Sequence, residues 1–157
     1  MIDLKKTEKD LFGKVANILV AFMVLALWIK TMHLFEGWLF STELISQLFF
    51  YQYQHPQLIN IYLFCIAAPI GEEVVFRHFP LQVLKSVKKP DLYWPVILMT
   101  SVIFGWLHQG HLNILIQGMI GLVCSVLYIK NNHCLLSAIA LHSLWNLAIL
   151  LNLFNFN

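Results

Sequence analysis

The chain has 157 residues, of which 59% are hydrophobic and 11% are charged, and its formal net charge is +2. Globular domains carry about 25% charged residues, so this composition excludes a disordered chain and argues against a soluble enzyme. The basic residues are scattered between apolar blocks and form no stripe, which excludes nucleic acid as a partner.

Five apolar segments are long enough, or nearly long enough, to cross a bilayer as helices. A hydrocarbon core of about 30 Å requires about 20 helical residues. The first segment follows a lysine-rich start and has no small-residue cleavage site, which predicts an uncleaved anchor. Residues 39–53 mix aromatic and polar side chains and predict an interfacial helix. The sequence therefore predicts one all-α integral-membrane domain over residues 1–157, a helix bundle with about five spans. These spans are Leu11–Ile29, Leu58–Leu84, Tyr93–Leu107, Leu112–Ile129 and Leu135–Leu153.

The lysines divide unevenly between the two ends of this predicted bundle. One end receives Lys5, Lys6, Lys9, Lys14, Lys85, Lys88, Lys89 and Lys130. The other end receives only Lys30. Because cytoplasmic loops carry the excess of basic residues, this distribution predicts a multi-pass protein of the cell membrane with a cytoplasmic N-terminus.

Charged residues lie inside the second predicted span. Inserting one such residue at the centre of a membrane helix costs about 2.5–3.5 kcal/mol of free energy. Glu73 and Arg77 are four residues apart on one helix face, which predicts an ion pair. Glu72 lies about 100° around the helix and is left free as a candidate general base. The alternative is an inert ion cluster that fixes helix packing. Just upstream, Pro69 and Gly71 predict an interruption of the helix.

Further polar residues occur in the later spans. His108 closes the third span, and His142 and Asn146 share one face of the fifth. Counted from the lysine-rich side, Glu72, His108, His142 and Asn146 lie at depths of about 20, 22, 18 and 24 Å. A common depth on three helices predicts that these side chains converge, although a single membrane histidine is more often an interhelical hydrogen bonder. The remaining histidines are interpreted as surface groups, namely His33, His55, His78, His111 and His133. For His111, only three residues past His108, a place near the site is left open as an alternative.

A carboxylate, two imidazoles and an amide suit the hydrolysis of an amide bond. Glu72 takes a proton from a water molecule that His108 orients, and His142 and Asn146 donate hydrogen bonds to the developing oxyanion. This mechanism needs no cofactor. The alternative is zinc bound by Glu72, His108 and His142 with water at the fourth position. The chain contains no HExxH helix, so the metal-free mechanism is preferred.

Three ordered motifs resemble those of a known family. Glu72–Arg77 resembles its EExxxR motif, Phe104–His108 its FxxxH motif, and His142–Asn146 its HxxxN motif. The family is the CPBP or Abi family, the CAAX-protease and bacteriocin-processing intramembrane endopeptidases, also called type II CAAX prenyl endopeptidase-like proteins. The resemblance covers residues 67–146, about half of the chain. His78 departs from it, because many members carry glycine after the arginine.

The resemblance implies an intramembrane peptidase with Glu72 as the base, His108 as its partner on water, and His142 with Asn146 on the oxyanion side. Glu73, Arg77 and Phe104 are then supporting residues. The resemblance does not settle whether zinc takes part in catalysis. The implied substrate is a peptide or a membrane-protein segment, with prenylated tails included, and homo-oligomer contacts stay open.

Two other classes of function compete with the peptidase. In the first, the protein is a non-enzymatic membrane scaffold or a bacteriocin self-immunity protein, and the motifs survive as a polar core. In the second, His108 and His142 are axial ligands of a haem, but the glutamate pair has no role there.

Overall fold

The computed structural model describes residues 4–39, 58–108, 111–151 and 153. Within these residues every regular element is helical, which confirms the predicted all-α helix bundle. The interfacial helix predicted over residues 39–53 lies outside the described residues, except for its first residue, which ends the first helix. The long helices are α1 (Leu4–Leu39), α2 (residues 58–86), α3 (Tyr93–Leu107), α4 (His111–Lys130) and α5 (Leu135–Leu150).

Helix α2 alternates between α-helical and π-helical segments. The α-helical segments are Leu58–Tyr62, Ala68–Glu73 and Phe79–Ser86, and the π-helical segments are Leu63–Ala67 and Val74–His78. A short 3-10 turn, Pro90–Leu92, then leads into α3.

Each π-helical segment of α2 is followed by a proline two residues later, Pro69 after Leu63–Ala67 and Pro80 after Val74–His78. A proline has no N–H, and its ring crowds the carbonyl four residues earlier, which a wider turn relieves. The predicted interruption at Pro69 and Gly71 is therefore wrong, because the backbone stays helical through both residues. The two glutamates lie at the end of the α-helical segment Ala68–Glu73.

Three helical stretches of the described chain are long and apolar enough to cross a membrane, namely Thr7–Met32, Pro90–Leu107 and Asn113–Lys130. The other two predicted spans differ from these. Helix α5 is apolar but shorter, with 16 residues. Helix α2 contains the charged residues that form the site described below.

Neighbouring helices bring the lysine-bearing segments to one end of the bundle. Asn17 Nδ2 of α1 donates to Asn131 Oδ1 at 2.7 Å, just after the last residue of α4. The ring of Tyr93, at the start of α3, lies 6.1 Å from the ring of His133 in the α4–α5 turn. Burial and the nearby Lys85 ammonium lower the pKa of His133. We call this end, which carries Lys14, Lys85 and Lys130, the lysine end.

Helices α3 and α4 approach each other closely at glycines. A Cβ added to Gly105 would lie 2.6 Å from Asn113 O and 2.6 Å from Ile114 Cα, and one added to Gly118 would lie 3.1 Å from Ser101 O. These neighbours are backbone atoms, which cannot rotate away as a side chain can. Glycine at positions 105 and 118 therefore permits the contact that places the end of α3 against α4.

We expect Gly105→Ala to destabilise the protein by about 1–3 kcal/mol, the usual cost of overpacking a close contact. The matched control is Gly13→Ala, because a Cβ at Gly13 has nothing within 4 Å. That change adds about 0.5–1 kcal/mol of helix stability. Thermal unfolding of the purified proteins in detergent measures both effects, and equal melting temperatures for the two variants would contradict the packing argument.

Candidate active site

Glu72 lies between two imidazole rings from two other helices. Its Oε1 is 3.9 Å from His108 Nε2, and its Oε2 is 3.5 Å from His142 Nε2. Helix α2 supplies the carboxylate, the residue that follows α3 supplies the first imidazole, and α5 supplies the second. The side chains of Glu72 and His108 are 28% and 33% exposed, whereas that of His142 is 2% exposed. The three groups therefore meet at the edge of the bundle interior, open on one side.

Glu73, the next residue in α2, contacts the other ring nitrogen of His142 and is completely buried. Its Oε1 accepts from His142 Nδ1 at 2.8 Å and lies 3.2 Å from Arg77 Nη1. The pair with Arg77 agrees with the spacing of four residues in the sequence. The contact with His142 was not predicted, because it joins residues 69 positions apart. A buried carboxylate of this kind orients the imidazole and stabilises its charged form.

The Nδ1 contacts determine which imidazole nitrogens carry protons. His108 Nδ1 is 2.7 Å from the carbonyl oxygen of Phe104, and His142 Nδ1 is bonded to the Glu73 carboxylate. Because carbonyl and carboxylate oxygens only accept, both Nδ1 atoms are donors. In the neutral rings, the Nε2 lone pairs face Glu72, and His142 Nε2 becomes a donor when that ring takes up a second proton. The Glu72 carboxylate and His108 Nε2 are then two acceptors for a molecule that can donate two hydrogen bonds, such as water.

Phe104 and Arg77 form the buried side of this site. The Arg77 guanidinium carbon lies 4.3 Å from the centre of the Phe104 ring, and that ring lies 4.4 Å from the His108 ring and 5.8 Å from the His142 ring. Arg77 Nε donates to Gly121 O at 3.4 Å. A Cβ on Gly121 would lie 2.5 Å from Arg77 Nη2, so glycine at this position leaves room for the guanidinium. Both Phe104 and Arg77 are buried.

Asn146 occupies the same face of α5 as His142 but contacts a different part of α2. Its Nδ2 donates to the Phe64 carbonyl at 2.8 Å. In the π-helical segment Leu63–Ala67 a carbonyl faces the N–H five residues later, and for Phe64 that residue is Pro69, which has none. The Asn146 amide thus replaces the missing backbone donor. The other N–H of the amide is the group that the predicted oxyanion role requires.

The donor chemistry of Glu72, His108 and His142 matches the ligands that zinc uses. In the described part of the chain, however, no three His, Cys, Asp or Glu side chains are placed to hold a metal ion.

Of the four predicted site residues, Glu72, His108 and His142 are brought together, and Asn146 lies one turn from His142. The interpretation of His78 as a surface group is wrong. His78 is half-buried, and its Nδ1 lies 3.0 Å from the hydroxyl of the buried Tyr128. The Tyr128 hydroxyl accepts from Gln82 Nε2 at 3.2 Å and can therefore donate to His78. The side chains of His33, His55 and His111 lie outside the described part.

Sequence reasoning missed the roles of Gly121 and Phe64. The glycines of α4 were a signal for close packing, but nothing in the sequence indicated that an arginine from α2 would fill the space at Gly121. The signal for Phe64 was Pro69, whose missing N–H leaves an earlier carbonyl in need of a donor.

The comparisons with known proteins identify a family. A family model described as type II CAAX prenyl endopeptidase Rce1-like matches residues 54–148, which is more than half of the chain. The matched range contains Glu72, His108, His142 and Asn146. No curated protein and no solved structure gives a match. On the strength of the family match and the apolar helices, the chain is a membrane protein that belongs to the Rce1-like family of type II CAAX prenyl endopeptidases.

Proposed function

We propose that the protein is an intramembrane endopeptidase that hydrolyses a peptide bond with a water molecule activated by Glu72. The observation that carries the proposal is the position of the Glu72 carboxylate within 3.9 Å of His108 Nε2 and 3.5 Å of His142 Nε2. A water molecule held there donates one hydrogen bond to Glu72 and one to His108 Nε2. Its oxygen is then free to attack a carbonyl carbon.

In the first step, Glu72 accepts a proton from this water as the oxygen bonds to the carbonyl carbon. The carbonyl oxygen becomes an oxyanion. His142, with one proton on Nδ1 toward Glu73 and a second on Nε2, donates to that oxyanion, and Asn146 donates with its other amide N–H. The buried Glu73 carboxylate stabilises the doubly protonated ring.

In the second step, the carbon–nitrogen bond breaks and the leaving amine takes the proton that Glu72 received. Glu72 returns to its carboxylate form, and the products are one carboxylic acid and one amine. We propose a mechanism without a metal, and the finding that supports it is that no three His, Cys, Asp or Glu side chains of the described residues are placed to hold a metal ion. The substrate is a peptide or a membrane-protein segment, and a prenylated tail is one member of that class.

We expect His142→Ala to lower kcat for peptide cleavage by about 10²–10³-fold, the usual cost of removing one oxyanion donor. The matched control is Leu144→Ala, an exposed position on the same helix, which retains activity. The measurement is cleavage of a peptide library, prenylated and unprenylated, by purified protein in detergent micelles. Equal activity in the two variants would remove His142 from the mechanism.

A chelator added to the same assay tests the metal-free mechanism separately. We expect unchanged rates with chelator. Activity that is lost with chelator and restored by added zinc would show a metallopeptidase. If wild-type protein cleaves nothing while a partner-binding or immunity function survives in His142→Ala, the protein is a non-enzymatic scaffold or a self-immunity protein instead.

A further inference from the structure

The orientation of the His108 ring depends on the shape of the last turn of α3. The backbone N–H of His108 donates to the Gly105 carbonyl, three residues earlier, at 3.2 Å. In a regular α-helix that N–H would donate to the Phe104 carbonyl, four residues earlier. The Phe104 carbonyl is therefore left for the imidazole, and His108 Nδ1 lies 2.7 Å from it. This hydrogen bond fixes the ring with its Nε2 toward Glu72.

Asn113, the third residue of α4, connects this turn to the next helix. The last carbonyls of a helix have no partner within the helix, so a helix end frays unless another group donates to them. Asn113 Nδ2 donates to the carbonyl oxygen of His108. Asn113 is 6% exposed, so water competes poorly for this hydrogen bond. The backbone of α4 packs against the same turn, since a Cβ added to Gly105 would lie 2.6 Å from Asn113 O.

We infer that Asn113 is a positioning residue of the active site, which holds His108 so that its Nε2 faces Glu72. The inference rests on the proposed peptidase function, in which His108 Nε2 accepts a hydrogen bond from the attacking water. Asn113 acts through the backbone of His108, because its amide binds the carbonyl of that residue. Without this amide, the last turn of α3 is released from α4 and the ring loses its single orientation.

The chain offers a matched control in Asn131, the residue that follows α4. Asn131 is 2% exposed, its Nδ2 donates to Ser137 Oγ at 2.9 Å, and its Oδ1 accepts from Asn17 Nδ2 at 2.7 Å. Asn131→Ala therefore removes the same amide from a similarly buried position. It does so at the lysine end, about 27 Å along α4 from Asn113. We expect this control to lower the melting temperature and to leave His108 in place.

Nitrogen NMR of the imidazole rings tests the inference without requiring cleavage. Protein with ¹⁵N-labelled histidine is measured in detergent micelles at a pH where the ring is neutral, and signals that are absent from His108→Ala are assigned to His108. We expect one tautomer, with the proton on Nδ1, in wild type and in Asn131→Ala. In Asn113→Ala we expect exchange between the two tautomers, because the ring is no longer held against the Phe104 carbonyl. An unchanged His108 signal in Asn113→Ala overturns the inference.

A double-mutant cycle on the rate of peptide cleavage provides the second test. We expect Asn113→Ala to lower kcat by about 10–10²-fold with KM nearly unchanged, since a catalytic group misplaced by about 1 Å costs up to about 10²-fold. In a His108→Ala background we expect no further loss, because the two residues act as one unit. Equal losses in the two backgrounds, or the same loss of kcat in Asn131→Ala, overturn the inference.

Asn113→Asp keeps the test decisive if Asn113→Ala does not fold. Aspartate has nearly the same shape, and the helix dipole favours a carboxylate in a first turn. At neutral pH, however, a carboxylate cannot donate to the His108 carbonyl, so we expect the same tautomer exchange and a similar loss of kcat. Wild-type behaviour in this variant overturns the inference. If wild-type protein cleaves nothing, the proposed function fails, and the NMR signal still decides whether Asn113 holds the ring.

Discussion

Replacing Glu72 with glutamine is expected to lower kcat for peptide cleavage by about 10²–10⁴-fold, the contribution of a general base. Glutamine has nearly the same shape, but its amide cannot take a proton from water at neutral pH. Folding is expected to be unaffected, because Glu72 is 28% exposed and does not take part in the buried pair of Glu73 with Arg77. Cleavage rates of purified wild type and variant give the effect, and thermal unfolding gives the stability.

The matched control is Glu8→Gln, which makes the same chemical change at an exposed position of α1. We expect that variant to retain wild-type rates. Full activity in Glu72→Gln would show that another group activates the water. A loss of activity in Glu72→Gln with an equally large loss of melting temperature would assign Glu72 to folding and not to catalysis.

Replacing Arg77 with methionine is expected to destabilise the fold by about 3–5 kcal/mol, the cost of leaving one partner of a buried ion pair alone. Methionine preserves much of the side-chain volume, so the loss reports mainly on charge. The Glu73 side chain is 0% exposed and lies 3.2 Å from the guanidinium, so water cannot replace Arg77. The free energy of unfolding, from a denaturing-detergent titration in mixed micelles, measures the effect.

The chain offers a matched control in its exposed ion pair. Lys14 Nζ lies 2.7 Å from Asp10 Oδ2 with the same spacing of four residues, but the two side chains are 28% and 56% exposed. Because exposed helix pairs contribute only about 0.3–0.5 kcal/mol, Lys14→Met is expected to cost far less than Arg77→Met. Similar losses in the two variants would refute the argument that burial makes the Glu73–Arg77 pair important.

Local features of the structure were predictable from the sequence because they depend on near neighbours. The range of α3, Tyr93–Leu107, coincides with its predicted span, since apolar composition and the residues at its two ends define it. The pairing of Glu73 with Arg77 follows from helix geometry alone. The form of α2 was not predicted, because sequence patterns report a proline as an interruption and do not reveal that a π-helical turn can absorb it.

The candidate site was also predictable only in part, because some of its contacts depend on how distant helices pack. Equal depth on three helices predicted that Glu72, His108 and His142 meet, but depth carries no information about rotation around each helix axis. The contact of His142 with Glu73 depends on how α5 is rotated against α2. The contact of Asn146 with Phe64 depends on a carbonyl that α2 exposes only in its π-helical form.

Composition, periodicity and spacing were sufficient to predict a membrane protein made of helices, its candidate reactive residues and its family motifs, because each of these depends on residues that are close together in the chain. The packing of the helices, by contrast, determines which group contacts each imidazole Nδ1 and which of the two glutamates is buried. Those properties arise from contacts between residues far apart in sequence, such as Arg77 against Gly121, and they exist only after the helices pack together.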